Sequence, residues 1–174
     1  MELNRKIAKF EKVSFEQYKK DYLSCFPNKN EEYVKEMYDK LKLPKRATKG
    51  SAGYDFYTPE ELTLLPGTTV KIPTGIRVKI DEGWFLGLFP RSGLGFKYRL
   101  QLDNTVGIID SDYYGSLLNE GHMFAKLTND TKNGKVLHIG GGDAYMQGIF
   151  LPFGITIDDE SNEVRNGGFG STTK

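Results

Sequence analysis

The feature that most constrains this chain is the rhythm of glycine and proline that begins after Gly53. They fall at Pro66-Gly67, Pro73, Gly75, Gly83, Pro90, Gly93 and Gly95. Among them VKIPTGIRVKI alternates apolar and polar residues, WFLGLF is a short apolar run, and MFAKLT alternates again. Several short strands at this spacing predict an all-β sandwich, jelly roll or barrel. No internal repeat, low-complexity tract or βαβ alternation occurs. The absence of G-x-x-x-x-G-K-[ST] excludes a P-loop.

The first 46 residues read as a helical extension. Ser14 and Gln17 have capping-box spacing, after which Phe15, Tyr18, Tyr22 and Phe26 recur at three- and four-residue steps. Asn30 caps a second predicted helix, EEYVKEMYDKL, with Glu31 and Glu32 at its positive end and Lys40 and Lys42 at its negative end. Pro44 stops it. The aromatic stripe is expected to pack on the main domain or a neighbouring subunit, a partner-binding face being the alternative. Lys45, Arg46 and Lys49 read as a hinge or a solvated charge run. The expected division is a helical extension over 1–46, a β domain over 47–162 and an arm over 163–174.

Charge narrows the partners. The 174 residues carry 24 Lys and Arg against 23 Asp and Glu, which gives no overall pull toward nucleic acid or an anionic membrane. The balance is uneven, +4 over residues 1–46 and −3 over the rest. No apolar h-region opens the chain and no run of 18 apolar residues occurs, so neither a signal peptide nor a membrane span is predicted. A lone cysteine, Cys25, cannot form an internal disulfide and fits a reducing compartment, with cytoplasm the expected location.

Several chemistries are absent. His122 and His138 lie far apart and outside any metal-ligand pattern. Cys25 has no evident base and reads as a packing residue, and no G-x-S-x-G elbow occurs. Short polar segments set in apolar strands remain. FPRSGLG puts Arg91 and Ser92 beside two glycines at a strand-to-loop switch, which is suited to phosphate oxygens but is also an ordinary turn. In NTVGIIDSDYYG, Val106, Ile108 and Ile109 carry Asp110 to the end of a buried strand, where a carboxylate can act as a general base on water. Asp112 reads as a turn residue, and Asp55 in SAGYDFY is a further carboxylate among strand residues. The chain finishes on GGFGSTTK, either a frayed tail or an arm closing over a ligand with Phe169 as a stacking plate and Arg165 as its cation. Together these fit attack by water on a phosphorylated ligand that carries a base.

SAGYDFY, PRSGLG, NTVGIIDSDYYG, GDAYMQGIF and RNGGFGST occur in the order of the five motifs of the homotrimeric dUTP diphosphatases, and the chain resembles that family over about residues 45–174. The resemblance implies a jelly-roll-like fold and a homotrimer with active sites shared between subunits. It implies Mg²⁺-dependent hydrolysis of dUTP to dUMP and pyrophosphate, which limits dUTP and supplies dUMP for dTMP synthesis. Mg²⁺ would be held mainly by the triphosphate and water, without direct protein ligands. Asp110 would be the general base for water attacking the α-phosphorus. Arg91, Ser92 and Gly93 would grip the phosphates, with Gln147 near the α-phosphate and Asp55 organising polar contacts. Asn104 with the backbone of Gly107, Ile108, Ile109 and Asp110 would form a hairpin reading uracil, and Tyr113 would exclude a 2′-hydroxyl. Arg165 would meet the γ-phosphate, Phe169 would stack on uracil, and Gly170 and Ser171 would complete the arm.

The match departs from the family pattern in places. YGSLLNEG indicates an insertion between Tyr114 and Gly121, as in bacterial and phage members with N-E-G-H here. Gly115 and Gly121 then compete for the motif glycine, and with Gly121 in that place Phe124 lines the nucleotide pocket. Ala144 replaces a usual arginine, and 17 residues separate Gln147 from Arg165, a short reach to another subunit. Two other readings stand beside this one. The same fold serves dCTP deaminases and bifunctional deaminase–diphosphatases, which need a glutamate base beside cytosine. A phage-type dUTPase that also binds a regulatory protein would give the extension a use.

Overall fold

The alternating runs become antiparallel strands in the computed structural model, which describes residues 5–163 and 165. The chain opens with strand β1 (Ala8–Lys12) and helices α1 (Phe15–Cys25) and α2 (Glu31–Lys40), followed by β2 (Lys45–Arg46), β3 (Tyr54–Tyr57), β4 (Leu62–Leu64), β5 (Thr69–Pro73) and β6 (Ile76–Ile80). Then come β7 (Trp84–Pro90), the short helix α3 (Ser92–Tyr98), β8 (Leu100–Leu102), β9 (Gly107–Ile109), β10 (Phe124–Asn129), β11 (Leu137–Ile139) and β12 (Ala144–Pro152).

All strand pairs are antiparallel, and their order is not sequential. One sheet runs β2-β3-β12-β7-β9, a second β5-β10-β8, and two pairs, β1-β6 and β11-β4, complete the jelly-roll-like body. Alternation sets the faces: Ala125 and Leu127 of β10, Leu100 and Leu102 of β8, and Leu137 and Ile139 of β11 are buried while their neighbours look outward. The central strand β12 is buried through Ala144, Tyr145 and Met146, and β7 through Leu86 and Leu88.

Both predicted helices form where their caps place them. The Ser14 side chain accepts from Gln17 N, and that of Asn30 from Tyr33 N. The capping box is completed from elsewhere: Ser14 N donates to Glu120 Oε2 at 2.9 Å, while the Gln17 side chain donates to Asp21 at 2.7 Å. The aromatic stripe turns inward. Tyr18 and Tyr22 are buried with Val13, Val34, Met37 and Leu41 in a core of the extension's own.

Two expectations for this region change. The extension is not helical throughout, because β1 pairs with β6 and sets Phe10 against Tyr54, Phe56 and Phe150. One aromatic amid charges gave no periodicity to read, and β6 supplies the template. Lys45 and Arg46 form no hinge but pair with Asp55 and Tyr54 of β3.

Candidate functional site

Three sequence-predicted residues meet around the middle of the larger sheet. The register sets Gln147 of β12 opposite Asp55 of β3 on one side and Phe89 of β7 on the other. Arg91, just past β7, reaches back to Asp55 Oδ1 at 3.4 Å and donates to Ala144 O at 3.3 Å. Gln147 donates to Pro90 O at 3.4 Å. Gly53 leaves room for the Gln147 side chain, whose Oε1 would lie 2.5 Å from a Cβ there. Ser92 and Gly93 are exposed and open α3, so the chain passes from strand to helix where a strand-to-loop switch was expected. A guanidinium, a hydroxyl and the first amides of a helix lacking a side-chain cap present donors suited to phosphate oxygens.

The second group gathers at the end of β9. Buried Ile109 anchors the strand, and Asp110 follows with its side chain 45% exposed, ahead of the 3₁₀ turn Ser111–Tyr113. Arg165 of the same chain donates to Asp110 Oδ2 and, at 2.9 Å, to Asp112 Oδ1. Its guanidinium lies 5.8 Å from the centre of the Tyr113 ring. Asp112, read as a turn residue, thus shares the arm's cation with the predicted base. Tyr113 is buried, and its hydroxyl donates to His122 O at 2.9 Å and accepts from Asn119 Nδ2 at 2.6 Å.

Beside this group lies an open cavity of about 320 Å³, lined by Lys71, Asp103, Asn104, Asn119, Phe124 and Lys126. Asn104 and Phe124, both expected at a nucleotide pocket, are among the residues that line this cavity. The segment around Asn104 is no simple hairpin: β8 pairs with β10 and β9 with β7, so residues 103–106 cross from one sheet to the other. The crossing holds Thr105 at φ 66, a strained conformation for a β-branched residue. Gly107 packs so closely on β7 that a Cβ would meet Leu88 Cβ at 3.0 Å, while Ile108 faces outward at 50% exposure.

The insertion closes on itself. Gly115 N donates to Glu120 O at 3.1 Å, which loops residues 116–119 out and sets Gly121 against the backbone of Tyr113 and Tyr114. Gly121 has φ +81, and a Cβ there would lie 2.6 Å from Tyr113 O. The chain therefore re-enters the sheet from Gly121, and Phe124 opens β10 beside the cavity.

The phosphate-type group and Asp110 do not meet within one chain. Ile109 stands opposite Leu86, and Arg91 follows Pro90 at the far end of β7. Five residues of strand from Leu86 to Arg91 span roughly 17 Å, and Asp110 lies one residue further away.

Phe169, Gly170 and Ser171 lie outside the described residues. Among those described, no group of three His, Cys, Asp or Glu side chains could hold a metal ion. No described helix is long and apolar enough to cross a membrane. Burial pushes the Cys25 thiol up, in keeping with a packing role. Sequence reasoning missed Asp21 as the partner of His122 (Nδ1 to Oδ2, 2.6 Å) and missed Lys71, whose ammonium sits 4.5 Å from the centre of the Phe124 ring. Asp21 and His122 are 101 residues apart, and no local pattern joins them.

A dUTPase family model matches residues 39–139. The deoxyuridine 5′-triphosphate nucleotidohydrolase of Lactococcus lactis subsp. lactis is 42% identical over 134 residues, 76% of this chain and 88% of the relative. The crystal structure of dUTPase from Streptococcus mutans superposes with a TM-score of 0.61 at 33% identity, covering 84% of this chain and 97% of that one. A mutant dUTPase from phage phi11 of S. aureus, which coordinates a structural Mg(II) ion, shares the fold at a TM-score of 0.58 and 24% identity, over 74% of this chain and 94% of that one.

Proposed function

This chain belongs to the dUTPase family and is a dUTP diphosphatase, and we propose that it works at sites built from more than one copy of itself. One observation carries the reading. The base candidate Asp110 and the phosphate-gripping Arg91 stand at opposite ends of β7, so the Arg91 that serves a given Asp110 comes from another subunit. Leu151, Phe153, Ile155 and Ile157 alternate as an exposed apolar row at the end of β12 and beyond it. Such a row is suited to burial between copies. A homotrimer satisfies both requirements.

Uracil enters the cavity beside Asn104 and Phe124, with Tyr113 beneath the deoxyribose. Arg91, Ser92 and Gly93 of the neighbouring subunit hold the triphosphate, which brings Mg²⁺ as its counter-ion, and Gln147 stands near the α-phosphate. Asp110 orients a water and takes its proton as the oxygen attacks the α-phosphorus. The α–β bridging oxygen leaves with pyrophosphate, so water and dUTP give dUMP and pyrophosphate. Donors matched to charge that develops on phosphate oxygens supply most of such catalysis. Arg165 binds two carboxylates in this structure. The γ-phosphate competes for that guanidinium, and its capture releases Asp110 for the water.

The test is pyrophosphate release from dUTP, with dCTP, dTTP and UTP in parallel, for wild type and Asp110→Asn. Turnover of dUTP alone is expected, reduced by about 10²–10⁴ in the variant. Equal turnover of all four nucleotides would sink the assignment of Asn104 and Tyr113. Release of ammonia from dCTP would favour the deaminase reading instead.

A further inference from the structure

The segment Asn119-Glu120-Gly121-His122 joins the N-terminal extension to the cavity wall. Glu120 accepts from Ser14 N at the start of α1 and also pairs with Arg77 at 3.4 Å. Asn119 donates to the Tyr113 hydroxyl and lines the cavity. Between them and Phe124 sits His122, fully buried and held on every side. Gly75 N–H donates to its Nε2 at 2.8 Å, so that nitrogen is the acceptor and the proton sits on Nδ1. Nδ1 then donates to Asp21 Oδ2 on α1 at 2.6 Å. One neighbour of the imidazole is Tyr18 of α1, with ring centres 6.2 Å apart, and another is Phe124, at 4.7 Å. Phe124 is in turn covered by the Lys71 ammonium.

We propose that the extension acts on nucleoside binding itself: Asp21 on α1 fixes the ring of His122, and His122 fixes Phe124 in the cavity wall. His122 and Asp21 are positioning residues and touch no substrate. A helix outside the β body thereby sets the shape of the pocket, through one buried side chain whose two nitrogens both have fixed partners. Removing the Asp21 carboxylate leaves Nδ1–H buried without an acceptor, which favours a different ring orientation. Phe124 then loses the ring packed against it at 4.7 Å. The inference rests on the reading of the cavity as the nucleoside pocket, and the variants separate the two claims.

Steady-state kinetics on dUTP, with thermal melting, should be measured on full-length Asp21→Ala, Asp21→Asn, Phe124→Ala and Tyr22→Phe. Asp21→Ala should raise KM about tenfold with kcat within about twofold. Asp21→Asn keeps an oxygen acceptor for Nδ1–H and should restore KM to within about threefold of wild type. Tyr22→Phe removes a different tie from α1 to the body, the hydroxyl donating to Glu60. It should lower Tm and leave KM alone. If Asp21→Ala lowers Tm as Tyr22→Phe does and leaves KM unchanged, the pair is only a staple and the proposal fails. If Phe124→Ala leaves KM unchanged, the cavity is not the nucleoside pocket. A rise with Phe124→Ala but none with Asp21→Ala overturns the positioning claim alone. Should Asp21→Ala not fold, Gln17→Ala removes the second donor to that carboxylate. It should raise KM about twofold to threefold, and no change would count against the proposal.

Discussion

Gly121 shows how much a single position can decide. Its φ of +81 is one that glycine adopts freely, and its hydrogen faces Tyr113 O where a Cβ would stand at 2.6 Å. Gly121→Ala should therefore cost about 1–3 kcal/mol, read as a fall in the denaturation midpoint. Gly115 also has positive φ but open space at its Cβ, so Gly115→Ala should cost less. Thr105 is the opposite case, a β-branched residue kept at φ 66 where the chain crosses between sheets beside Asn104. Strain of that kind collects at functional sites, where surrounding structure maintains it.

At the scale of elements, the junction of extension and body is held by carboxylates whose pKa values are depressed. Hydrogen bonds from Tyr114 and Lys9 lower Glu11 from its usual 4.5 to about 2. Burial opposes the charge of Asp21, but donors from His122 and Gln17 prevail and keep its carboxyl below the ordinary range. Burial likewise opposes Glu120, and the side chain and amide of Ser14 outweigh it. A carboxyl with a depressed folded value stabilises the fold fully above its unfolded pKa, and that stabilisation is lost as pH falls through the folded value. For Glu11 the window runs from 4.5 down to about 2. Thermal melts of wild type and Glu11→Gln should differ at pH 7 and converge across that window. A constant difference would mean that the Glu11 charge contributes nothing.

For the whole molecule, the separation of Asp110 from Arg91 makes a sharp prediction about assembly. In the proposed homotrimer, Asp110→Asn and Arg91→Ala proteins should each be nearly inactive. Dissociated and reassembled together at equal concentration, they should recover about one quarter of wild-type activity, the share of sites in a randomly mixed trimer that draw both intact residues from different subunits. No recovery would place both residues of each site in one chain. Alternation and turn residues are local properties, so the sequence by itself determined the runs that became β5, β6, β7 and β10 and the Ser14 and Asn30 helix starts. Side-chain type likewise pointed to water attacking a phosphorylated ligand that carries a base, and the ordered motifs, by their resemblance to a family, pointed to dUTP. The meeting of residues across the chain was another matter. β1 needed β6 as its template, the supposed uracil hairpin divided between two sheets, and His122 found Asp21 on a helix 101 residues away. Only the tertiary structure decided these, since strand pairing and burial depend on partners that no window of neighbouring residues contains.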